Sequence, residues 1–242
     1  ETGNWKLLNV KEPFVNSAVP VSLYDHCVRA IDRVLARLSR RGLPLIGAGD
    51  WNDGLSSVGL KWKGESVWLG EFLHRVLLDF SGVAAKTGDR QRAGRYRRAA
   101  ARLKVSINRH GWDGRYYLGA TKDSGEKLGS ATSREGKIWL NTQTWAILGD
   151  VADERRAAAA FDVVESELEG KNGPVLLKPA YTRPDPEIGY LTRYAAGMRE
   201  NGGVYTHAAT WAVLAAARLG RSAAAVRIFS KLNPILMSMR PD

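Results

Sequence analysis

Apolar positions recur at helical spacing in four stretches of this chain, and three of those stretches repeat one plan. Each opens an apolar helix near a tryptophan, turns at a glycine, and continues into a second helix rich in Ala and Arg. The first runs from Glu65-Ser66-Val67-Trp68-Leu69 through Thr87-Gly88-Asp89 into Arg90 to Leu103. The second runs from Thr144-Trp145-Ala146-Ile147-Leu148 through Gly149-Asp150 into Arg155 to Leu168. The third runs from Thr210-Trp211-Ala212-Val213-Leu214 through Leu219-Gly220 into Ser222 to Leu232. A repeating helix–turn–helix unit with Gly closing its first helix predicts a stacked array of α-hairpins. The first helix of each pair is the more apolar, as an inner helix sandwiched between neighbours should be. A fourth helix is predicted from about Ser22 to Arg40, carrying Tyr24, Cys27, Val28, Ile31, Val34, Leu35 and Leu38 on its apolar side and stopping at Arg41-Gly42 before Pro44.

Between the hairpins lie long loops, Gly42 to Gly64, Gly111 to Gly136 and Lys171 to Gly203, the second containing the strand-like Arg115-Tyr116-Tyr117-Leu118. Long loops in a compact domain are functional or disordered. Tryptophans and paired carboxylates inside these argue for function, with the site built at one end of the hairpins.

Composition narrows the partners. Of 242 residues, 44% are apolar and 25% charged, the balance of an ordinary globular chain with a sizeable core. No apolar run approaches the roughly 20 residues that span a bilayer, and no secretory-type leader opens the sequence. Cys27 is the single cysteine, which favours a reducing, cytoplasmic setting. The formal charge of +11 would suit a polyanion, but much of it sits in Arg90, Arg92, Arg95, Arg97, Arg98, Arg102 and Lys104. That run reads as the solvated face of a helix without interleaved aromatics, so no nucleic-acid partner is expected.

Two constellations carry candidate chemistry. Gly47-Ala48-Gly49-Asp50-Trp51-Asn52-Asp53-Gly54 contains the residues tight turns require. A turn alone does not call for an indole between two carboxylates, whereas a sugar site does. Sugar C–H faces pack on aromatic planes, and inverting glycoside cleavage needs a carboxylic acid beside the leaving oxygen. The second is Arg199-Glu200-Asn201-Gly202-Gly203-Val204-Tyr205-Thr206-His207, leading into the helix of Trp211. Paired glycines before a helix start let a ligand approach the backbone, and free N–H groups there attract anions. His207 suits either phosphate binding or simple capping. His26, His74 and His110 read as structural, and Trp68, Trp145 and Trp211 as core more than sugar contacts. No metal-ligand spacing, phosphate loop, nucleophile elbow or dinucleotide fingerprint is present, so neither a metal nor an organic cofactor is expected.

At these two segments the chain resembles the cellobiose and chitobiose phosphorylases, a family that includes the phosphorylase-like domain of cyclic β-1,2-glucan synthases. The resemblance rests on Leu43-Pro44-Leu45, Gly49-Asp50-Trp51-Asn52-Asp53-Gly54 and Gly64-Glu65-Ser66-Val67-Trp68-Leu69, then on Glu200-Asn201-Gly202-Gly203 with His207 and Trp211. It implies a mainly α fold, an (α/α)6 toroid of which this chain holds several hairpins. It implies inverting phosphorolysis of a β-linked glucoside by inorganic phosphate, giving α-glucose 1-phosphate, with phosphate as co-substrate and no cofactor. Asp53 would be the general acid, Trp51, Arg199 and Glu200 would contact sugar, and His207 would hold phosphate. Arg199 stands where the family commonly has Lys, keeping the charge but changing its shape.

The resemblance also implies missing parts. Residues 1–242 would be part of one catalytic toroid domain, without the family's amino-terminal β-sandwich and without both ends of its toroid region. The arginine and aspartate the family supplies earlier, and its Thr-Gly phosphate contact near the carboxyl end, are absent. A second polypeptide, segments outside this chain, or a homo-oligomer would then complete the ring, covering apolar faces expected on the helix from Ser22 and the helix ending near Leu232. Two alternatives stay open: an inverting hydrolase on the same toroid, with Glu200 or Glu187 activating water, and a catalytically silent carbohydrate-binding or assembly fragment.

Overall fold

The computed structural model describes residues 3–239 as two compact units divided after Leu38. The first contains the short antiparallel pair β1 (Lys11–Pro13) and β2 (Pro20–Ser22), followed by α1 (Leu23–Leu35). Ser22 caps α1 by accepting the Asp25 N–H. The helix ends five residues short of the predicted Arg40. After Ala36 the Arg37 N–H bonds back to the Val34 carbonyl, and Ser39–Gly42 forms a turn of its own closed by Gly42 at φ 76°. The small local turn replaces about one and a half turns of the predicted helix.

The second unit is the hairpin array. Short strands pin the starts of its first two inner helices: β3 (Glu65–Ser66) precedes α2 (Val67–Lys86), and β6 (Ile138–Trp139) precedes α4 (Leu140–Leu148). β3 pairs with β4 (Ala120–Thr121), which pairs with β5 (Lys127–Leu128); β6 pairs with β9 (Leu177–Lys178). A further small pair joins β7 (Glu169–Gly170) to β8 (Gly173–Pro174).

The outer helices follow as predicted in kind. α3 (Arg90–His110) outruns its predicted end at Leu103 by two turns, because Leu103 and Ile107 are both buried and hold that face against the unit. α5 (Glu154–Val163) passes into a π-helical turn, Val164–Leu168. α6 (Thr206–Arg218) and α7 (Ser222–Leu232) form the third hairpin, with a short α8 (Pro234–Ser238) after it. The inner helices α2, α4 and α6 pack side by side, each also against its own outer helix. This is a run of a helical toroid, the predicted fold class.

Arg115–Leu118 is not a ladder strand. Tyr116, Tyr117 and Leu118 are buried individually, and only Tyr117 makes an isolated bridge, to Trp112. These three side chains fill core, and the segment joins no strand ladder.

Among the described residues, two apolar clusters flank the candidate loops. Phe161, Ile147 and Leu168 pack with Ala208, Ala212 and Ala215 of α6, whose small side chains let the helices approach. Leu55, Trp139, Leu177, Ile188 and Leu191 form the second, beneath the loops that carry the candidate site. At the far end, Val226 and Phe229 of α7 and Ile235 of α8 are exposed, as an apolar terminal face would be. In α1, Val28 and Ile31 are buried, Tyr24, Val34 and Leu35 are half-buried, and Cys27 is exposed. Among the described residues no helix is long and apolar enough to cross a membrane.

Candidate functional site

The loop before α2 is fixed by its own side chains. Asp50 Oδ1 accepts the Asn52 N–H at 2.8 Å, and Asn52 Oδ1 accepts the Gly54 N–H at 3.0 Å, two successive side-chain turns. Asp50 Oδ2 accepts the Ser66 hydroxyl at 2.6 Å, and that same oxygen of Ser66 accepts the Leu69 N–H, capping α2. Burial pushes the Asp50 carboxyl above the usual carboxylate range, against the opposing hydrogen bonds from Ser66 and Asn52. With Asp50 and Asn52 committed to the turn, Asp53 is the loop's solvent-facing carboxylate.

The loop is fastened to the segment around Tyr190. The Leu191 N–H donates to the Gly54 carbonyl at 3.0 Å, and the Ser57 N–H to the Ile188 carbonyl at 3.1 Å. Gly54 is required here, since a Cβ would stand 2.7 Å from the Leu191 Cβ. Tyr190 consequently feels both acids. Its hydroxyl is pushed above the ordinary phenol range, first by desolvation, then by the charge of Asp53, with Glu200 contributing and Arg199 opposing.

Glu200 is buried, 5% exposed. Its Oε2 lies 3.4 Å from Arg199 Nε, near enough for an ion pair but not aligned as a hydrogen bond, so that oxygen has no hydrogen-bond partner in the protein. Arg199 itself adopts φ 46°, and its guanidinium lies 4.8 Å over the Tyr194 ring. The neighbouring Asn201 secures the segment, donating to the Tyr181 and Tyr194 carbonyls and accepting the Tyr181 N–H.

His207 is the second residue of α6 and exposed. The Trp51 indole N–H donates to His207 Nδ1 at 3.3 Å, so a neutral ring carries its proton on Nε2. No side chain caps the start of α6, which leaves its first N–H groups open beside His207. Trp51 also packs against Tyr205 at 5.2 Å and Trp211 at 5.3 Å. Trp211 continues the cluster to Trp145 at 5.4 Å and Trp68 at 6.2 Å. The three inner-helix tryptophans thus pack on one another, Trp68 buried and Trp145 and Trp211 partly exposed, while Trp51 joins them to the loop.

All five sequence-predicted site residues lie in two linked groups, Trp51 with His207, and Asp53, Arg199 and Glu200 around Tyr190. Glu187 stands elsewhere, 3.3 Å from the buried Lys122 in an ion cluster with Asp185, beside a cleft of about 290 Å³. His74 is structural as expected, buried and donating to the Gly149 carbonyl at 2.6 Å. Tyr190 was missed by sequence reasoning; its signal was an aromatic in a long proline-rich loop, which does not say what it faces.

Comparison with known proteins gives a consistent family. The family described as "Glycosyl hydrolase 94 superfamily, catalytic domain" matches residues 1–241. The chain is 36% identical to solabiose phosphorylase of Paenibacillus borealis over 235 residues, covering 97% of this chain and 30% of that protein. It is 41% identical to the cyclic beta-(1,2)-glucan synthase NdvB of Rhizobium meliloti over 215 residues, covering 88% of this chain and 8% of that one. Among solved structures, a GH63 mannosylglycerate hydrolase from Thermus thermophilus in complex with glucose aligns at TM-score 0.59 and 14% identity, over 86% of this chain and 60% of that one. That likeness concerns the helical fold. The chain spans about 30% of the length of solabiose phosphorylase.

Proposed function

Because this chain belongs to the glycosyl hydrolase 94 superfamily, we propose that it carries the acid and phosphate sides of an inverting glycoside phosphorylase site. One observation carries the reading above the others. The Trp51–His207 hydrogen bond joins the loop that carries Asp53 to the open amino-terminus of α6, which supports an acid and an anion-binding helix end acting on one substrate.

In this reading the substrate is a β-linked glucoside, a disaccharide or a β-glucan oligosaccharide. Trp51 offers its ring to the sugar's C–H face, and Glu200 and Arg199 take its hydroxyls. His207 Nε2–H and the first α6 N–H groups hold phosphate on the face opposite the leaving group. A phosphate oxygen forms the new bond to the anomeric carbon as the glycosidic C–O bond breaks. The leaving oxygen takes the Asp53 proton and departs as a sugar hydroxyl. The proton of hydrogen phosphate, released as the sugar phosphate forms, restores Asp53, and the product is α-glucose 1-phosphate. Phosphate already carries its charge, so no base or organic cofactor is required, and the reaction reverses by the same steps.

We further propose that this chain is one part of a longer toroid. Its three hairpins are half of a six-hairpin ring, and the exposed Val226, Phe229 and Ile235 suit an apolar face that further helices cover. The relatives are phosphorylases by name and considerably longer.

Asp53→Asn tests the assignment in the active protein. Synthesis from α-glucose 1-phosphate with a panel of acceptors, and phosphorolysis of the product, should fall by about 10²–10⁴-fold with the fold intact. Near-normal turnover would remove Asp53 from the role.

A further inference from the structure

We propose that Asp50 is the positioning residue of the acid-bearing loop, and that it works through one buried water held jointly with Trp68, Trp139 and Asn141. The proposal rests on Asp53 being the general acid. It begins from a small, partly open cavity of about 20 Å³ lined in part by the loop. Asp50 lines it from the loop, Trp68 from α2, and Trp139 and Asn141 from the start of α4.

Three of the residues that line it each carry a buried polar atom with no hydrogen-bond partner in the protein: Trp68 Nε1, Trp139 Nε1 and Asn141 Oδ1. Buried polar groups are almost always satisfied, so three orphans on residues around one small cavity point to a ligand. The size selects it. One water needs at least about 10–15 Å³, so a 20 Å³ cavity takes one water and excludes a sugar ring.

The chemistry of the lining matches water atom for atom. The indole N–H groups of Trp68 and Trp139 fill its two acceptor sites. One O–H goes to Asn141 Oδ1, and the other to the Asp50 carboxylate, the remaining acceptor without a full complement. The water then ties three parts of the chain together: the loop, the first turn of α2 and the first turn of α4. Asp50 completes the tie from its own side, accepting from Asn52 within the loop and from Ser66, the cap of α2. Asp53 follows three residues later on the turn so fixed. A reacting group misplaced by about 1 Å can lose on the order of 10² in rate, which sets the expected effect.

The experiment uses Asp50→Asn in the active protein. Asparagine keeps the shape but replaces one accepting oxygen with a donor, which Ser66 and the water cannot both satisfy. Two substrates are compared: a natural glucoside, whose leaving oxygen needs the proton, and β-glucosyl fluoride, whose fluoride departs without one. The expected result is a loss of about 10²-fold in kcat on the glucoside, with the phosphate KM and the fluoride rate nearly unchanged. Equal losses on both substrates would overturn the proposal, because general damage does not distinguish leaving groups. Asp53→Asn is run beside it. If that control shows the split and Asp50→Asn does not, the positioning role alone has failed; if the control keeps its glucoside rate, the acid assignment has failed as well. A high-resolution crystal structure of the unsubstituted protein decides the water without any variant. Density for one water hydrogen-bonded to both indole nitrogens supports it, while a dry cavity, or a sugar oxygen there in a substrate complex, overturns it.

Discussion

Glu71 sits on the inner face of α2 with none of its surface exposed, and neither carboxyl oxygen has a hydrogen-bond partner in the protein. Burial pushes its carboxyl well above the ordinary value of 4.5. The folded protein therefore keeps a proton on Glu71 at pH values where the unfolded chain has released it. The sign follows directly. Folding takes up one proton, the unfolded state binds one fewer, and stability falls as pH rises. The fall begins just above 4.5 and runs to the folded pKa at about 1.4 kcal/mol per pH unit, the full value for one proton. Glu71→Gln keeps the side chain's shape and removes the titration. Thermal unfolding of both proteins across pH 5 to 8 should show the variant gaining on the unsubstituted protein with rising pH. For a chain of this length that is about 3–5 °C in Tm per pH unit within the window. The difference between the two proteins cancels every other titrating group. Parallel curves would refute the reasoning, because they would mean that Glu71 ionises in the fold as it does in water.

Two further outcomes follow from the site and the frame. His207→Ala should raise the phosphate concentration needed for half-maximal rate by about 10-fold or more, the worth of one hydrogen bond to a charged group, with a smaller change for sugar; equal effects on both substrates would make His207 structural. Glu169 is held below the ordinary carboxylate range by hydrogen bonds from Arg227 and Lys231, although burial alone would raise it. Its contribution should be complete above about pH 4.5 and lost as pH falls through the depressed folded value. Tm measured from pH 6 down to pH 3 should therefore fall less steeply in Glu169→Gln, and identical slopes would count against the pairing.

The hairpin plan was legible in the sequence because its signals are local. Tryptophan-led apolar stretches, the Gly88, Gly149 and Gly220 turns, and Ser or Asp caps such as Ser66 and Asp89 act within one or two helical turns. The acid-bearing loop was legible for the same reason: Asp50 and Asn52 each bond the backbone two residues on, so the turn is written into the five consecutive positions Asp50 to Gly54. The helix predicted to Arg40 failed where two local signals compete, and the pattern there does not rank the turn at Ser39–Gly42 against further helix.

Everything that makes the loop a site came from distant parts of the chain. Trp51 and His207 are 156 positions apart, and their hydrogen bond exists because α6 stacks where it does. Tyr190 meets the field of Asp53 only through the Gly54–Leu191 fastening. Glu71 and Phe72 are adjacent on one apolar helix, yet one is wholly buried and the other exposed. A hydrophobic pattern marks an inner helix, but which of its sides meets a neighbour is decided by the helix beside it. The 20 Å³ cavity likewise belongs to no segment, since a void is what remains when loop, α2 and α4 have each taken their places. Sequence determined the elements and the turn that carries Asp53; stacking of the hairpins decided what surrounds it.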